Sequence, residues 1–386
     1  MMAEIVVIGA GIAGLATATA LQQRGHSVTV IEERTDTGSG AGISIWPNAL
    51  AALDVLGLGD AVRAAGGRVT GGAIRWKDGS WLRRPSPERI VTALGEPLVV
   101  IQRAALRDVL THALQPNTVS HGVAATALAV SGRRTHVRLS DGSTREADAV
   151  VGADGTHSVV ARHLNGVLGH RYAGYTAWRG VASMAVDADL AGETMGPGTE
   201  VGHVPMGEGR TYWFATERVA EGGAAPNGEL SYLLSKLASW AEPVPAMFAA
   251  TDPAGVVRND LYDRSPARRW ADGPVVLVGD AAHPMRPHLG QGGCQALEDA
   301  AVLGALVDLS PDLPVAFAAF ESFRRPRVAG IVRESRTIGQ VVNLRPAVLS
   351  AVASRASALM PEPLVTRHLA TIAAGTAFRL PTGADV

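Results

Sequence analysis

At 386 residues, with 47% apolar and 18% charged residues, the chain is long enough for two or three domains and has the composition of a folded soluble protein. A formal net charge of −1 argues against nucleic acid or an anionic membrane surface as the main partner, and no apolar run is long enough for stable membrane insertion. The single cysteine, Cys294, excludes an intramolecular disulfide, and the chain enters a strand with no basic leader, so a cytoplasmic protein is expected.

Residues 4–8 form a short β-branched run that reads as a strand. Gly9, Gly11 and Gly14 follow at G-x-G-x-x-G spacing, then a helix over 12–24 and a second strand over 28–31. Gly9 suits a tight turn, Gly11 lets the backbone approach a pyrophosphate, and Gly14 allows close packing behind it. Ile12 and Ala13 stand at the helix N-terminus, where free N–H groups favour an anion. Glu32, with Glu33 and Arg34 behind it, closes the second strand where a ribose hydroxyl would lie.

A Gly-rich loop is expected over 38–42, and Asn48 reads as the N-cap of a helix over 49–56 that stops at Gly57. Residues 73–82 alternate as a strand, with a turn signal at Lys77-Asp78-Gly79-Ser80. Pro85, Pro87 and Pro97 bracket a loop, and 101–114 reads as a helix carrying Arg103, Leu106 and Leu110. Strands are expected over 119–130, 136–139 and 144–147, with Asp141-Gly142 as a hairpin turn. The apolar run 149–151 suits a buried parallel strand. Residues 172–215 are strand-like, 221–228 is a Gly/Ala-rich surface loop and 230–250 reads as a helix. A buried strand over 275–278 ends at Gly279-Asp280. Helices fill 291–309, 313–342 and most of 346–376. The order implies an α/β nucleotide domain interrupted by a second, mostly antiparallel sheet.

Two further motifs accompany the first. One is Gly152-Ala153-Asp154-Gly155 running on to Arg162; the other is Gly279-Asp280-Ala281-Ala282-His283-Pro284, with Gly290-Gln291-Gly292-Gly293 behind it. Together, and in this order, they resemble the single-component FAD aromatic hydroxylases, the para-hydroxybenzoate hydroxylase-type monooxygenases. The resemblance runs from Ile5 to about Arg327. It implies a Rossmann-like FAD-binding domain over 1–70, 98–170 and 270–343, a substrate domain over 71–97 and 171–269, and a C-terminal helical segment over 344–386. Asp280, ending a buried strand, suits the ribityl hydroxyls of FAD. Gly290, Gln291, Gly292, Gly293 and Cys294 open a helix whose backbone lies close to the flat ring. The resemblance further assigns Arg103 to the cofactor and Asp154 to both FAD and NAD(P)H; Ser44 and Ala125 match cofactor-contact positions more loosely.

Since no second G-x-G-x-x-G follows a strand, no separate NAD(P)H domain is expected. The cycle implied by resemblance has NAD(P)H reduce FAD, O2 add to form a flavin C4a-hydroperoxide, and one oxygen pass to an electron-rich aromatic or heteroaromatic small molecule. A phenolic substrate needs a base. His288, leading into the flavin-facing helix, is the first candidate, with His203 and Tyr212 next. Trp178 and Arg179 are read as pocket lining, His283 as packing and Cys294 as a small buried hydrophobe. The stretches 171–175 and 45–48 are similar to the FAD-dependent urate hydroxylase branch. Ala177, Glu200 and His288 stand where that branch carries Asn, Arg and Asp, and only Tyr212 is kept, so urate is not the expected substrate.

The rivals are an epoxidase using the same oxygenating chemistry, a flavin oxidase or dehydrogenase, and a flavin-free escort protein on the same fold. A halogenase is disfavoured, because Lys77 and Lys236 are the only lysines and neither lies near a motif. A monomer or homodimer is expected.

Overall fold

The computed structural model describes residues 2–35, 41–132 and 134–386, so most of the expected 38–42 loop lies outside the described residues. The first strand, Glu4–Ile8, runs through the middle of a six-stranded sheet. Ser27–Glu32 and Ala149–Gly152 flank it in parallel, and Val119–His121 and Val275–Leu277 extend the parallel set on either side. Ala271–Asp272 adds an antiparallel edge. Val150, Val151, Val275 and Val276 are fully buried, as a sheet covered on both faces requires. Helices Ile12–Gln22 and Gly292–Leu309 pack on each other over this sheet. A three-stranded antiparallel sheet, Ala125–Ser131, Arg134–Leu139 and Thr144–Ala147, stands beside it.

The second large sheet has seven strands. Their order is Val257–Arg264, His170–Ala182, Arg210–Glu217, Thr199–Gly207, Gly192–Gly196, Ala73–Trp76 and Trp81–Arg83. All neighbours are antiparallel except Gly192–Gly196 beside Ala73–Trp76. Its outer face packs Trp213, Ala215 and Val201 against helices Glu229–Leu237 and Val244–Ala249. There Trp213 meets Phe248 edge to face at 4.6 Å, a contact contributing about 0.5–1.5 kcal/mol beyond simple burial. The inner face turns toward a small sheet of Gly42–Ile45, Leu98–Gln102 and Gly67–Val69. Helix Leu313–Val342, roughly 45 Å long, joins the two bodies. Phe317 and Phe320 bury in the first core, and Ile338 and Val342 pack on Trp76 and Met195 of the second. Among the described residues, no helix is long and apolar enough to cross a membrane.

Five local expectations change. Residues 101–114 divide into strand Leu98–Gln102 and helix Arg103–His112; the run Leu-Val-Val-Ile has strand chemistry and a partner on each side. Asn48 is not an N-cap. It lies inside helix Pro47–Val55, where its side chain joins a buried polar network. The loop bracketed by prolines contains helix Pro87–Leu94, started by Ser86 accepting from the Arg89 N–H with proline at the first position. Residues 230–250 break into two helices around Glu242-Pro243. The 119–130 strand is interrupted at Gly122, φ +79°.

Candidate active site

The glycine turn is dictated by packing. Gly9 has φ +102°, and a Cβ there would sit 2.5 Å from the Ala153 carbonyl oxygen of the Asp154 motif. A Cβ on Gly14 would fall 1.8 Å from the Gly9 carbonyl oxygen. The first two motifs therefore meet with Gly9 against the Ala153 backbone and Gly14 close to the Ala153 methyl, an approach that only glycine permits. Gly11 is different: its Cβ would meet nothing within 4 Å, and the helix it opens has no side-chain cap. Free N–H groups thus face open space, as an anion cradle requires. Ile12 and Ala13 form the first turn behind it. Glu32 is anchored nearby, accepting from the Ala10 N–H at 2.7 Å and the Arg34 N–H at 3.0 Å. Each carboxylate oxygen keeps capacity for another donor. Glu33 and Arg34 are exposed beyond it. The Val123 N–H donates to the Glu32 carbonyl, which brings the start of the Ala125 strand to the same end.

At the other end, Asp154 Oδ2 accepts from the Val159 N–H at 2.7 Å and so starts helix Val159–Asn165. Its Oδ1 is buried without a partner among the described residues, and burial pushes the carboxyl above the usual range. Asp280 lies exposed in the turn Gly279–Ala281. Neither Asp280 nor Arg103 forms an ion pair within 4 Å among the described residues. They do share one electrostatic field. Arg103 is reached by solvent through the open cleft yet ringed by protein; desolvation lowers its pKa, and the Asp280 charge opposes that. Arg264 joins the two turns, donating to the Ala281 carbonyl at 2.7 Å and the Thr156 carbonyl at 3.4 Å.

Gly290, with φ +61°, lies against the Trp46 indole, and Gly292 meets only Met285 at 3.8 Å. The helix opening at Gly292 has Gln291 before it and no side-chain cap. Gly293 is backed by Ile43, and Ser44 lies in the adjoining strand. The Cys294 thiol is buried against the Ser44 and Gly290 carbonyls, and burial pushes it up to about 12. Its side chain therefore packs and does not line the cleft.

Beneath these two turns runs a buried charge network that the sequence did not reveal. Arg324, 1% exposed, pairs with Glu298 at 2.5 Å and Asp299 at 2.8 Å. Asp299 accepts from the Gly279 N–H at 2.9 Å and from His283 at 2.6 Å, holding the Asp280 turn. Glu298 accepts from Asn48 at 2.6 Å, and Asn48 donates to Gln291 at 3.0 Å, holding the turn before the Gly292 helix. Arg327 adds to Glu298 and reaches the Ile372 carbonyl of the C-terminal helices. Arg324 thus links the acids that hold the two turns, with Arg327 and His283 as their second partners. A visible signal was two adjacent acids, Glu298-Asp299, in an otherwise apolar helix.

Strand alternation decides which side chains of the seven-stranded sheet face the cleft. Ala177, Arg179 and Val181 pair with Thr216, Phe214 and Tyr212, and these with Glu200, Gly202 and Val204. These residues share the inner face, with Glu193 opposite Gly202. Tyr212 lies over Gly42, Arg179 bonds its hydroxyl, and Arg179 and Phe214 are partly open to the cleft. Trp178 and His203 lie one residue out of phase and face the outer layer. His203, 1% exposed, contacts Thr194 at 3.1 Å. Burial and the Arg75 charge lower it to about 4. His203 is therefore not beside the cleft, and Trp178, bonded to Glu229, is not pocket lining. His288 does reach the inner side, but both nitrogens are engaged, Nε2 with the Tyr175 hydroxyl at 2.8 Å and Nδ1 with Glu200 at 3.4 Å. Its side chain is 1% exposed and wedged against Gly339 of the long helix.

The cleft thus combines an uncapped helix N-terminus for a pyrophosphate, a carboxylate at each end for sugar hydroxyls, and a flat glycine wall, so the residues fit FAD. Comparison with known proteins agrees. Residues 2–308 match the family described as FAD binding domain, and the chain belongs to that family. Aurachin C monooxygenase/isomerase of Stigmatella aurantiaca is 38% identical over 340 residues, covering 87% of this chain and 89% of that protein. The 3-amino-4-hydroxybenzoate 2-monooxygenase of Streptomyces cremeus is 36% identical over 350 residues, covering 88% of each. The structure of Klebsiella pneumoniae HpxO complexed with FAD and uric acid matches with a TM-score of 0.89 at 29% identity, over 96% of both chains. The protein is an FAD-dependent monooxygenase of the aromatic hydroxylase type.

Proposed function

We propose that this monooxygenase places one oxygen atom of O2 on an electron-rich aromatic or heteroaromatic small molecule bound between the glycine wall at Gly290–Gly293 and the inner face of the seven-stranded sheet. When bound and reduced by NAD(P)H, FAD supplies the oxygen activation. The protein's own residues do the rest. Gly11 and the N–H groups behind it bind the pyrophosphate, Glu32 and Asp280 the two sugar ends, and Arg103 and the Gly292 helix N-terminus favour negative charge at the ring edge. Asp154 is the residue next to which the nicotinamide cofactor would visit. Phe214 offers the substrate a flat apolar contact, and Tyr212, polarised by Arg179, offers it a hydrogen bond.

The observation that carries this reading is the convergence of Tyr212, Arg179, Arg103 and Asp280 on one cleft, each within the electrostatic reach of the next. His288 takes a substrate proton only through Tyr175 or Glu200, because both of its nitrogens are occupied. The division into an FAD domain and a substrate domain, and a cytoplasmic location, belong to the same proposal. The test is to purify the protein, record bound FAD by its absorbance, and follow NAD(P)H consumption across phenols, hydroxyquinolines and purines. Product mass must rise by one oxygen atom; consumption that yields only peroxide with every compound would refute the reading.

A further inference from the structure

The inner sheet face carries opposite charge at its two ends. Tyr212 and Arg179 stand toward the small sheet of the cofactor body, with Arg103 acting on Tyr212. One row from Arg179 and two from Tyr212, about 7 and 13 Å along the strands, stand Ala177, Thr216 and Glu200. Glu200, 3% exposed, accepts from Thr216 at 3.3 Å and lies 3.4 Å from His288. Glu193, diagonal to it on the next strand, shares a hydrogen bond with it. Among the described residues no arginine or lysine forms an ion pair with either acid. Arg286, beyond Tyr175, is held bidentate by Asp263 at 2.7 and 2.9 Å and is already neutralised. Burial first, and then the neighbouring Glu200, pushes the Glu193 carboxyl well above the usual range, so this end of the face is acidic, with His288 as the one basic side chain beside it.

Resting on the functional reading above, we propose that Glu200, backed by Glu193, sets substrate specificity: it selects an uncharged N-heteroaromatic that points a ring N–H or amino donor toward it and an oxygen toward Tyr212 and Arg179, and it rejects aromatics whose carboxylate would face it. A donor at the acidic end and an acceptor at the basic end both gain from the field; a carboxylate at the acidic end meets an unscreened like charge across a partly dry pocket. At this spacing and an intermediate dielectric the discrimination exceeds tenfold.

The experiment compares two probes differing by one carboxylate, 4-quinolone and 4-hydroxyquinoline-2-carboxylate. Both are titrated calorimetrically into the FAD-loaded protein, and into Glu200→Gln and Glu200→Arg, each combined with Glu193→Gln. Wild type is expected to bind the uncharged probe at least tenfold more tightly. Glu200→Gln, nearly the same shape and combined with Glu193→Gln so that the second acid does not take over the charge, should bring the ratio toward one, and Glu200→Arg on the same Glu193→Gln background should reverse it. Equal affinities in the wild type, no binding of the uncharged probe, or a ratio unmoved by either substitution overturns the proposal. Flavin content and NAD(P)H oxidation are read on the same samples. Failure there refutes the monooxygenase reading instead, since calorimetry reports probe binding whether or not turnover occurs.

Discussion

The two sides of the cleft are built differently. The side proposed for the cofactor is made of backbone: glycines pressed on carbonyls, helix ends left uncapped, and two turns held from below by Arg324. The side proposed for the substrate is made of side chains standing on a sheet, where a shift of one residue exchanges the inner for the outer face. A backbone cradle constrains residue type at fixed spacing, whereas a sheet wall constrains only parity. The first is therefore rigid and intolerant of substitution, and the second is free to change its chemistry without changing the fold.

Substitutions can break this contrast. The largest effect is expected at Arg324. Arg324→Met takes away the fully buried cation, leaving Glu298 to Arg327 and Asp299 to His283 alone, and should cost about 3–5 kcal/mol, read as a lower Tm together with loss of bound flavin. Gly14→Ala comes next. Its methyl would displace the Gly9 carbonyl, and about 1–3 kcal/mol of destabilisation with lost FAD uptake is expected. Asp280→Ala removes one exposed charged acceptor and should weaken FAD by about tenfold or more, measured by flavin titration of the apoprotein, with Tm of the apoprotein little changed. If those three proved as mild as inner-face changes such as Phe214→Leu, the contrast would be wrong.

His203 sharpens the comparison from the other side. Its proton affinity falls from the ordinary 6.5 to about 4 on folding, so the unfolded chain binds more protons between these values. Its contribution is intact above pH 6.5 and is lost progressively as pH falls toward 4, up to about 3 kcal/mol. His203→Gln should flatten the Tm profile over that window while leaving the turnover rate at pH 7 nearly unchanged. A large loss of turnover at neutral pH would return His203 to the cleft.

This difference also explains what the sequence disclosed. Gly9, Gly11, Gly14, Glu32 and the Asp280 turn were readable because main-chain geometry leaves its mark locally. Tyr212, His203 and Trp178 were all assigned to one surface, yet only Tyr212 lies on the inner face, because no local feature reports which way a strand faces. That parity is set by Gly180 lying under Trp213 and by the helices on the outer layer, contacts far apart in sequence. Asn48 was misread for a related reason. Its short amide is common at helix starts, but its partners, Gln291 and Glu298, lie more than two hundred residues away.

Arg264 ends the outermost strand of the seven-stranded sheet, yet its guanidinium grips two carbonyls of the body built on the six-stranded sheet. A strand is thus riveted to the very turns that flavin would stiffen. Filling the cofactor site should therefore travel outward along that strand, slowing its amide exchange, and an empty protein should be loosest where guest selection is decided.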